Sequence, residues 1–390
     1  METLIPFLAI ISFIIGASIG SFLNVVIYRL PRSISVNKPR RSFCPSCNYK
    51  IPFYLNIPIL SWLILLGKCR NCSSKVSIRY LLVELITGVL FLVCWLIYAL
   101  SLSGQFQVTY YLVLPGWLLI SLLVSASLID YEHQIIPDTL NIVGLIAGLI
   151  FAIIFPLIPF KIMGIDSFFN SYEITWYKSL IISFLSGLFG FLIIYSIVFL
   201  GKIVFGIKVL SKNKSTRWSI VEGEENPILL FDEQEISFEE LFFVGTEKVV
   251  FDCQKFDLNG NEIITDRVSV YYNRMDYNNE TVDISDWVSV GGNSDKITYH
   301  REAMGLGDVK YMAMIGVFIG WKGVLFTLFT ASIIGTVVSL PGRILKSDNA
   351  LNRIPFGPFL SLGAITWLFY GPQLLDWYLN LIRMGNPLRQ

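Results

Sequence analysis

The chain has 390 residues, of which 54% are hydrophobic and 15% are charged, and its formal net charge is +1. Soluble domains contain about 45–50% apolar and about 25% charged residues, so this composition indicates a protein that crosses a membrane several times. No basic patch is interleaved with aromatic residues, which disfavours nucleic-acid binding.

The first apolar run, from Leu4 to Tyr28, predicts the first membrane span. Because Met1-Glu2-Thr3 lacks the basic stretch of a signal peptide, we do not expect this run to be cleaved. A basic cluster follows it, at Arg29, Arg32, Lys38, Arg40 and Arg41. The positive-inside rule therefore predicts an outer N-terminus and a cytoplasmic segment from residue 30 onward.

Residues 30–79 contain two Cys-x-x-Cys pairs separated by 21 residues, namely Cys44 with Cys47 and Cys69 with Cys72. This spacing is close to that of four-cysteine zinc sites, in which four thiolates close a tetrahedron with no open position. We predict a structural Zn²⁺ ion here. The alternative, two redox or disulfide pairs, is disfavoured in the reducing cytosol.

Further apolar runs predict seven more spans, at residues 80–100, 111–129, 139–160, 178–204, 308–320, 323–340 and 355–381. Eight spans place both termini outside and the basic loops inside. The run 308–320 is too short to cross alone, so we expect it beside a water-filled cavity within the bundle. Glu84, one turn into the second span, is expected to pair with Arg79 or to face a wet cavity.

Residues 206–302 are polar and acidic, unlike the rest of the chain. Apolar residues alternate in 248–253 and 267–272, and turn signals such as Asn259-Gly260-Asn261 separate such runs. This pattern predicts an inserted β-rich domain in the cytoplasm. Its acidic residues are most simply a solvated surface; they are Glu222, Glu224, Glu225, Asp232, Glu233, Glu235, Glu239 and Glu240.

The predicted organisation is thus an all-α polytopic membrane protein with two added modules. Its parts are span 1 (1–29), the zinc segment (30–79), spans 2–5 (80–205), the insert (206–302) and spans 6–8 (303–390).

Two acids lie at span ends. Asp130 ends the third span, and Asp308 begins the sixth after Gly305 and Gly307. An aspartate at the centre of a span costs roughly 2.5–3.5 kcal/mol, so such a group is retained when it is paired, wet or functional. Two neighbouring carboxylates can share a proton and activate water, which predicts an intramembrane aspartyl protease. With His133 and His300 as its only histidines, the chain shows no convincing Ser–His or Cys–His alternative.

Two charged residues support this motif. Asp138 follows Pro137 at the start of the fourth span, where we expect its side chain to cap the helix. Lys310 is expected to extend to the cytoplasmic surface.

Two other function classes stay open. One is a transporter or channel with the acids as a proton or cation relay, and the other is a membrane-anchored scaffold.

In order along the chain, several motifs resemble those of the type IV prepilin leader peptidases, which are bifunctional peptidases and N-methyltransferases. They are Gly16-Ala-Ser-Ile-Gly20-Ser-Phe-Leu-Asn24 through Arg29-Leu-Pro31, the two cysteine pairs, Asn56-Ile-Pro58 through Ser61-Trp62, Arg79-Tyr80 through Glu84, Asp130 through Pro137-Asp138, and Gly305-Leu-Gly307-Asp308-Val-Lys310. The resemblance covers almost the whole chain except about 206–302, where the family has a short loop.

The resemblance implies that Asp130 and Asp308 are the catalytic pair in a bacterial inner-membrane enzyme. The substrate would be a prepilin or pseudopilin, cut on the cytoplasmic side after the glycine that ends its basic leader. The new N-terminal residue would then be methylated from S-adenosylmethionine, a function that the family associates with segment 30–79. No glycine-rich Rossmann fingerprint is present, so the methyl donor rests on the resemblance alone. A peptidase without methyltransferase activity is the narrower alternative.

Overall fold

The computed structural model describes residues 4–38, 42–44, 46–100, 110–162, 174–205, 207–221, 227–231, 234–238, 242, 248–278, 280–283, 289–300, 305–344 and 355–384. It divides into two compact units. The first comprises Met1–Ile194 with Leu306–Gln390, and the second comprises Tyr195–Gly305.

Nine α-helices occur in the described residues, and a 3-10 turn at Phe53–Leu55 precedes the second of them. The helices are α1 (Leu4–Arg29), α2 (Leu60–Ile64), α3 (Ile78–Leu100), α4 (Tyr110–His133), α5 (Asp138–Ile154), α6 (Leu157–Ile162), α7 (Trp176–Phe205), α8 (Leu306–Ile344) and α9 (Gly357–Met384).

Five helices of the described chain are long and apolar enough to cross a membrane. Their candidate spans are Pro6–Arg29, Ile78–Tyr98, Val113–His133, Trp176–Gly201 and Leu306–Leu340. Helix α5 is apolar but shorter, with 17 residues. These helices fit the predicted multi-pass membrane protein, while the count of eight spans is not confirmed.

Helix α8 is interrupted at Gly320, whose φ of 76° and ψ of 169° are not helical. Glycine adopts this backbone conformation without the steric cost that a Cβ would impose. The break lies between the two predicted spans 308–320 and 323–340. The first half of α8 is therefore a short helix that begins with the Gly305–Lys310 motif.

Small residues let α1 and α3 approach closely. A Cβ on Gly16 would lie 2.7 Å from Cβ of Phe91, and one on Gly20 would lie 2.8 Å from Cα of Glu84. In a membrane, apolar side chains gain as much from contact with lipid as from contact with another helix. Helices therefore associate through small residues, which let their backbones approach closely. The close approach brings the last turns of α1 beside the first turns of α3.

The second unit contains a ten-stranded antiparallel sheet, which confirms the predicted β-rich insert. Its strands are β1 (Ile207–Val221), β2 (Ile228–Phe231), β3 (Gln234–Ser237), β4 (Lys248–Asp252), β5 (Lys255–Leu258), β6 (Asn261–Ile264), β7 (Arg267–Tyr271), β8 (Arg274–Tyr277), β9 (Glu280–Asp283) and β10 (Val290–His300). The main order is β3-β2-β1-β10-β4-β7-β8-β9, and the β5–β6 hairpin pairs with β10.

The core of this unit is apolar and aromatic. Trp218 stacks on Phe251 with ring centroids 4.0 Å apart, and Phe256 and Val268 are fully enclosed. The first strand pairs with the last, with Ile207 opposite His300. Of the acidic residues predicted to form a solvated surface, all but Glu235 lie outside the described residues.

Candidate active site and metal centre

Asp130 lies in the last turn of α4 and is only 6% exposed. Its Oδ2 accepts a hydrogen bond of 2.8 Å from the backbone N–H of Gly357, the first residue of α9. The first amides of a helix have no partner within the helix, and they bind anions well. A Cβ at position 357 would lie 2.6 Å from the same carboxylate oxygen, so only glycine allows this approach.

Asp308 lies in the first turn of α8 and is half-buried. Its charge interacts with that of Asp130, so the fold brings together two carboxylates that are distant in sequence. Gly307 packs against Ile136, just after α4, where a Cβ would lie 3.4 Å from Cβ of Ile136. Gly305 is exposed and precedes the helix. The catalytic role of the two carboxylates stays a prediction.

Three residues beside the pair were not identified from the sequence. Tyr311 lies one turn after Asp308, is fully buried, and interacts electrostatically with both carboxylates. Its hydroxyl is 2.7 Å from Oγ of Ser361, which lies 2.8 Å from the carbonyl oxygen of Gly357. Tyr311 could have been found from its spacing of three residues from Asp308 on one helix face. Ser361 and Gly357 carry no such local signal.

The interpretation of Asp138 as a helix cap was wrong. Pro137 occupies the cap position of α5, and no side chain caps that helix. Asp138 is instead the first helical residue, and its two carboxylate oxygens accept hydrogen bonds of 2.8 and 2.7 Å from Nζ of Lys310. Lys310 therefore forms an ion pair that joins the first turns of α5 and α8.

Glu84 was expected either to pair with Arg79 or to face a wet cavity, and it does not pair with Arg79. Arg79 forms an ion pair with Glu132 in the last turn of α4. Glu84 is 9% exposed and accepts a hydrogen bond of 2.6 Å from the backbone N–H of Ile59. It lines a cavity of about 470 Å³ between α1, α3 and the cysteine segment.

The four predicted metal ligands lie together, with all four Sγ atoms within 4.8 Å of one another. Sγ of Cys44 is 3.9 Å from that of Cys72, and Sγ of Cys47 is 4.0 Å from that of Cys69. Tetrahedral Zn²⁺ with bonds of about 2.3 Å requires sulfurs about 3.8 Å apart. None of these cysteines forms a disulfide. The cluster can therefore hold a metal ion of this size.

The two cysteine pairs are built in the same way. The N–H of Cys44 donates to the carbonyl of Tyr49, as that of Cys69 does to Ser74. The residue after each second cysteine has a positive φ, 55° at Asn48 and 56° at Ser73. These paired tight turns, which we call the two knuckles (43–50 and 68–75), direct two thiols each toward a common point.

The electrostatics of the cluster favour a cation. Burial raises the pKa of Cys44, but hydrogen bonds from the side chain of Ser74 and the backbone of Cys47 and Ser46 outweigh it and lower this pKa to about 6. A hydrogen bond from the Tyr49 backbone favours the Cys47 thiolate, yet its interactions with the Cys72 and Cys44 side chains help raise its pKa to about 11. A metal ion would compensate the accumulated thiolate charge.

Two segments of the chain match known protein families. Residues 14–98 match the bacterial peptidase A24 N-terminal domain, and residues 284–340 match the type IV leader peptidase family. In these two segments the chain is similar to type IV leader peptidases. The first match contains all four cysteines, the second contains Asp308, and Asp130 lies outside both.

Curated relatives carry the name prepilin leader peptidase/N-methyltransferase. That of Myxococcus xanthus is 44% identical over 163 residues, which cover 42% of this chain and 43% of the relative. That of Aeromonas salmonicida is 24% identical over 95% of this chain and 93% of the relative. That of Neisseria gonorrhoeae is 38% identical over 39% of this chain and 58% of the relative. No solved structure matches the chain.

Proposed function

We propose that this chain is a membrane aspartyl endopeptidase of the type IV leader peptidase family. It cleaves the basic leader from prepilins or pseudopilins after a glycine, on the cytoplasmic side of the bacterial inner membrane. The observation that carries the proposal is the meeting of Asp130 and Asp308, from separate helices, in a chain similar to prepilin leader peptidases.

The pair supplies the proton transfers of peptide hydrolysis. Two adjacent carboxylates cannot both ionise cheaply, so together they hold one proton. The ionised carboxylate takes a proton from water, whose oxygen attacks the scissile carbonyl carbon, while the protonated carboxyl donates to the carbonyl oxygen. The carboxyl that took the proton from water then gives it to the departing nitrogen as the C–N bond breaks, and the hydroxyl formed from the carbonyl oxygen returns its proton to the other carboxylate. Gly357 and Tyr311, through Ser361, hold Asp130 and its surroundings in place.

The cysteine cluster is proposed to hold Zn²⁺ in a structural role, with Cys44, Cys47, Cys69 and Cys72 as ligands. Four protein thiolates leave no open position for substrate or water, and this donor set is typical of structural sites. The ion would fix the two knuckles to one another and so shape the segment between α1 and α3.

The second proposed activity is methylation of the new N-terminal amine. S-adenosylmethionine supplies an electrophilic methyl group: the amine nitrogen forms the new N–C bond, sulfur retains the electrons of the old S–C bond, and the nitrogen releases a proton to water. The names of the relatives support this activity. We also propose that both termini lie outside the membrane and that the zinc segment lies in the cytoplasm.

The test is cleavage of a prepilin with a basic, glycine-ended leader, with mass spectrometry of the product's N-terminus. Asp130→Asn and Asp308→Asn should each lower kcat by about a thousandfold or more, because each removes one member of a unit. Asp376→Asn, an exposed aspartate of α9, is the matched control and should cleave normally. A product heavier by one methyl group supports the second activity. If the Asp130→Asn and Asp308→Asn variants both still cleave prepilin, the proposal is wrong and the transporter or scaffold function is favoured.

A further inference from the structure

The first turn of α9 forms hydrogen bonds with two other helices of the same unit. The N–H of Gly357 donates to Asp130 of α4, and Oγ of Ser361, one turn further along α9, lies 2.7 Å from the hydroxyl of Tyr311 in α8. Tyr311 follows Asp308 by three residues, which places the two side chains on one side of α8. The start of α9 is therefore connected to Asp130 directly and to Asp308 through Tyr311.

The direction of the bond between the two hydroxyls follows from the number of donors. The Ser361 hydroxyl has one hydrogen, and carbonyl oxygens accept it at 2.8 Å from Gly357 and at 3.4 Å from Leu123. The Tyr311 hydroxyl therefore donates to Ser361, whose own hydrogen is already used. Both side chains are buried. A buried hydroxyl without a partner is costly, so the pair resists separation.

The same turn of α9 meets α4 at two points. One is the hydrogen bond to Asp130, and the other is the contact of Ser361 with the carbonyl oxygen of Leu123. Leu123 precedes Asp130 by seven residues, so both contacts lie on one face of α4. The N–H of Leu360 closes this turn of α9 by donating to the carbonyl of Phe356 at 3.1 Å. The turn is thus a regular helical element that holds α4 beside α8.

Asp308 depends on this arrangement more than Asp130 does. Asp130 accepts a hydrogen bond from Gly357, whereas the Asp308 side chain forms none with any residue that the structure describes. The distance of Asp308 from Asp130 is therefore set by the position of α8. Tyr311 is the fully buried residue that ties this part of α8 to α9, and it interacts electrostatically with both carboxylates.

We propose that Tyr311 and Ser361 are positioning residues, which use the first turn of α9 to set the separation of the Asp130 and Asp308 carboxylates. The inference rests on the peptidase activity proposed above and names residues that fix the geometry of its pair. Separation matters because repulsion between the carboxylates keeps a single proton on the pair, and this repulsion weakens with distance. Loss of the bond between the two hydroxyls should therefore impair turnover and leave substrate binding intact.

The test is prepilin cleavage by the full chain in lipid nanodiscs, measured over a range of pH. Tyr311→Phe removes the hydroxyl and keeps the ring, and should lower kcat by about tenfold with KM unchanged, because the catalytic groups are slightly misplaced. It should also narrow the pH range of cleavage, because carboxylates that lie further apart hold a single proton over a smaller range. Ser361→Ala should have the same two effects. The double variant should lose no more kcat than the single variants, because one contact is broken in all three.

Tyr98→Phe is the matched control. The hydroxyl of Tyr98, in α3, donates to the carbonyl oxygen of Leu368 in α9 at 2.9 Å, about two turns beyond Ser361. This variant also removes a tyrosine hydrogen bond to α9, but at a point away from the carboxylate pair, and should keep the kcat and the pH range of the wild type. Thermal unfolding measured on the same samples selects an assay temperature at which every variant is folded.

The outcomes separate the positioning role from the proposed function. A wild-type chain that does not cleave prepilin contradicts the function itself. If the wild type cleaves and Tyr311→Phe equals it in kcat and pH range, the peptidase stands and the positioning role is wrong. The role is also wrong if Tyr98→Phe loses as much kcat as Tyr311→Phe, because the effect is then one of general packing. A loss in Tyr311→Phe that Ser361→Ala does not share likewise contradicts the proposal, since Tyr311 would then act without Ser361.

Discussion

At the scale of single residues, the position of Asp130 depends on a residue 227 positions later in the chain. The amide of Gly357 donates to its carboxylate, and no other residue type fits because a Cβ would lie 2.6 Å from Oδ2. The carboxylate of a proteolytic pair must be placed within a fraction of an ångström to act on water and carbonyl together. Gly357 is therefore a positioning residue of the site.

Gly357→Ala should lower kcat of prepilin cleavage by about a hundredfold, because the added methyl group displaces the Asp130 carboxylate from its partner. KM should change little, since Gly357 touches the carboxylate and not the leader. Gly335→Ala in α8 is the control, because its Cβ would meet only the ring of Phe359, at 3.3 Å. The measurement is the cleavage kinetics of the Gly357→Ala and Gly335→Ala variants, at matched amounts of membrane protein. Equal activity of the two variants would show that the Gly357 contact is dispensable.

At the scale of elements, the ion pair of Asp138 and Lys310 joins the start of α5 to the start of α8. The side chains are 57% and 45% exposed, so the pair contributes less than about 1 kcal/mol to stability. Its value lies in geometry, because Lys310 is two residues from Asp308 and Asp138 follows the loop that contacts Gly307 through Ile136.

Asp138→Asn and Lys310→Gln should each lower kcat by about tenfold, a typical cost of a small misplacement of catalytic groups. The double variant should lose no more than either single one, because both changes break the same contact. Lys310→Arg keeps two donors for the carboxylate and should retain most activity. Steady-state cleavage kinetics of the wild type, the two single variants and the double variant form a double-mutant cycle. If the losses of kcat in the two single variants add in the double variant, the two residues do not share a positioning role.

The sequence predicted local features well and tertiary ones poorly. Apolar runs indicated the helices, alternation indicated the insert, and cysteine spacing indicated the cluster, because each pattern reports on a nearby backbone geometry. Asp138 was misread because Pro137 takes the cap position, leaving the carboxylate free for a residue 172 positions away. Gly357 and Ser361 were missed for the same reason, since their contacts with α4 arise only when α9 packs against it.

At the scale of the whole molecule, the insert is a unit with its own core, and both peptidase carboxylates belong to the other unit. Its first and last strands pair, with Ile207 opposite His300, so the chain enters and leaves the sheet at neighbouring points. Paired residues on adjacent strands have Cα atoms about 4.5–5.5 Å apart. A linker of a few residues can therefore replace the sheet without stretching the chain on either side.

Replacing residues 207–300 by a short Gly-Ser linker should leave kcat of prepilin cleavage close to wild type, because Asp130, Asp308, Gly357 and Tyr311 all lie outside the excised part. The insert's sequence is acidic and the leader is basic, so we expect the intact chain to have the lower KM at low salt. Screening shortens the range of this attraction to about 10 Å at 0.1 M salt, so the difference in KM should shrink as salt is raised.

Loss of kcat on excision would mean that the insert supports the catalytic unit itself. An unchanged salt dependence with kcat retained would mean that the sheet serves a partner other than the leader. The two readouts separate because kcat reports on the carboxylate pair and the salt dependence of KM reports on long-range charge.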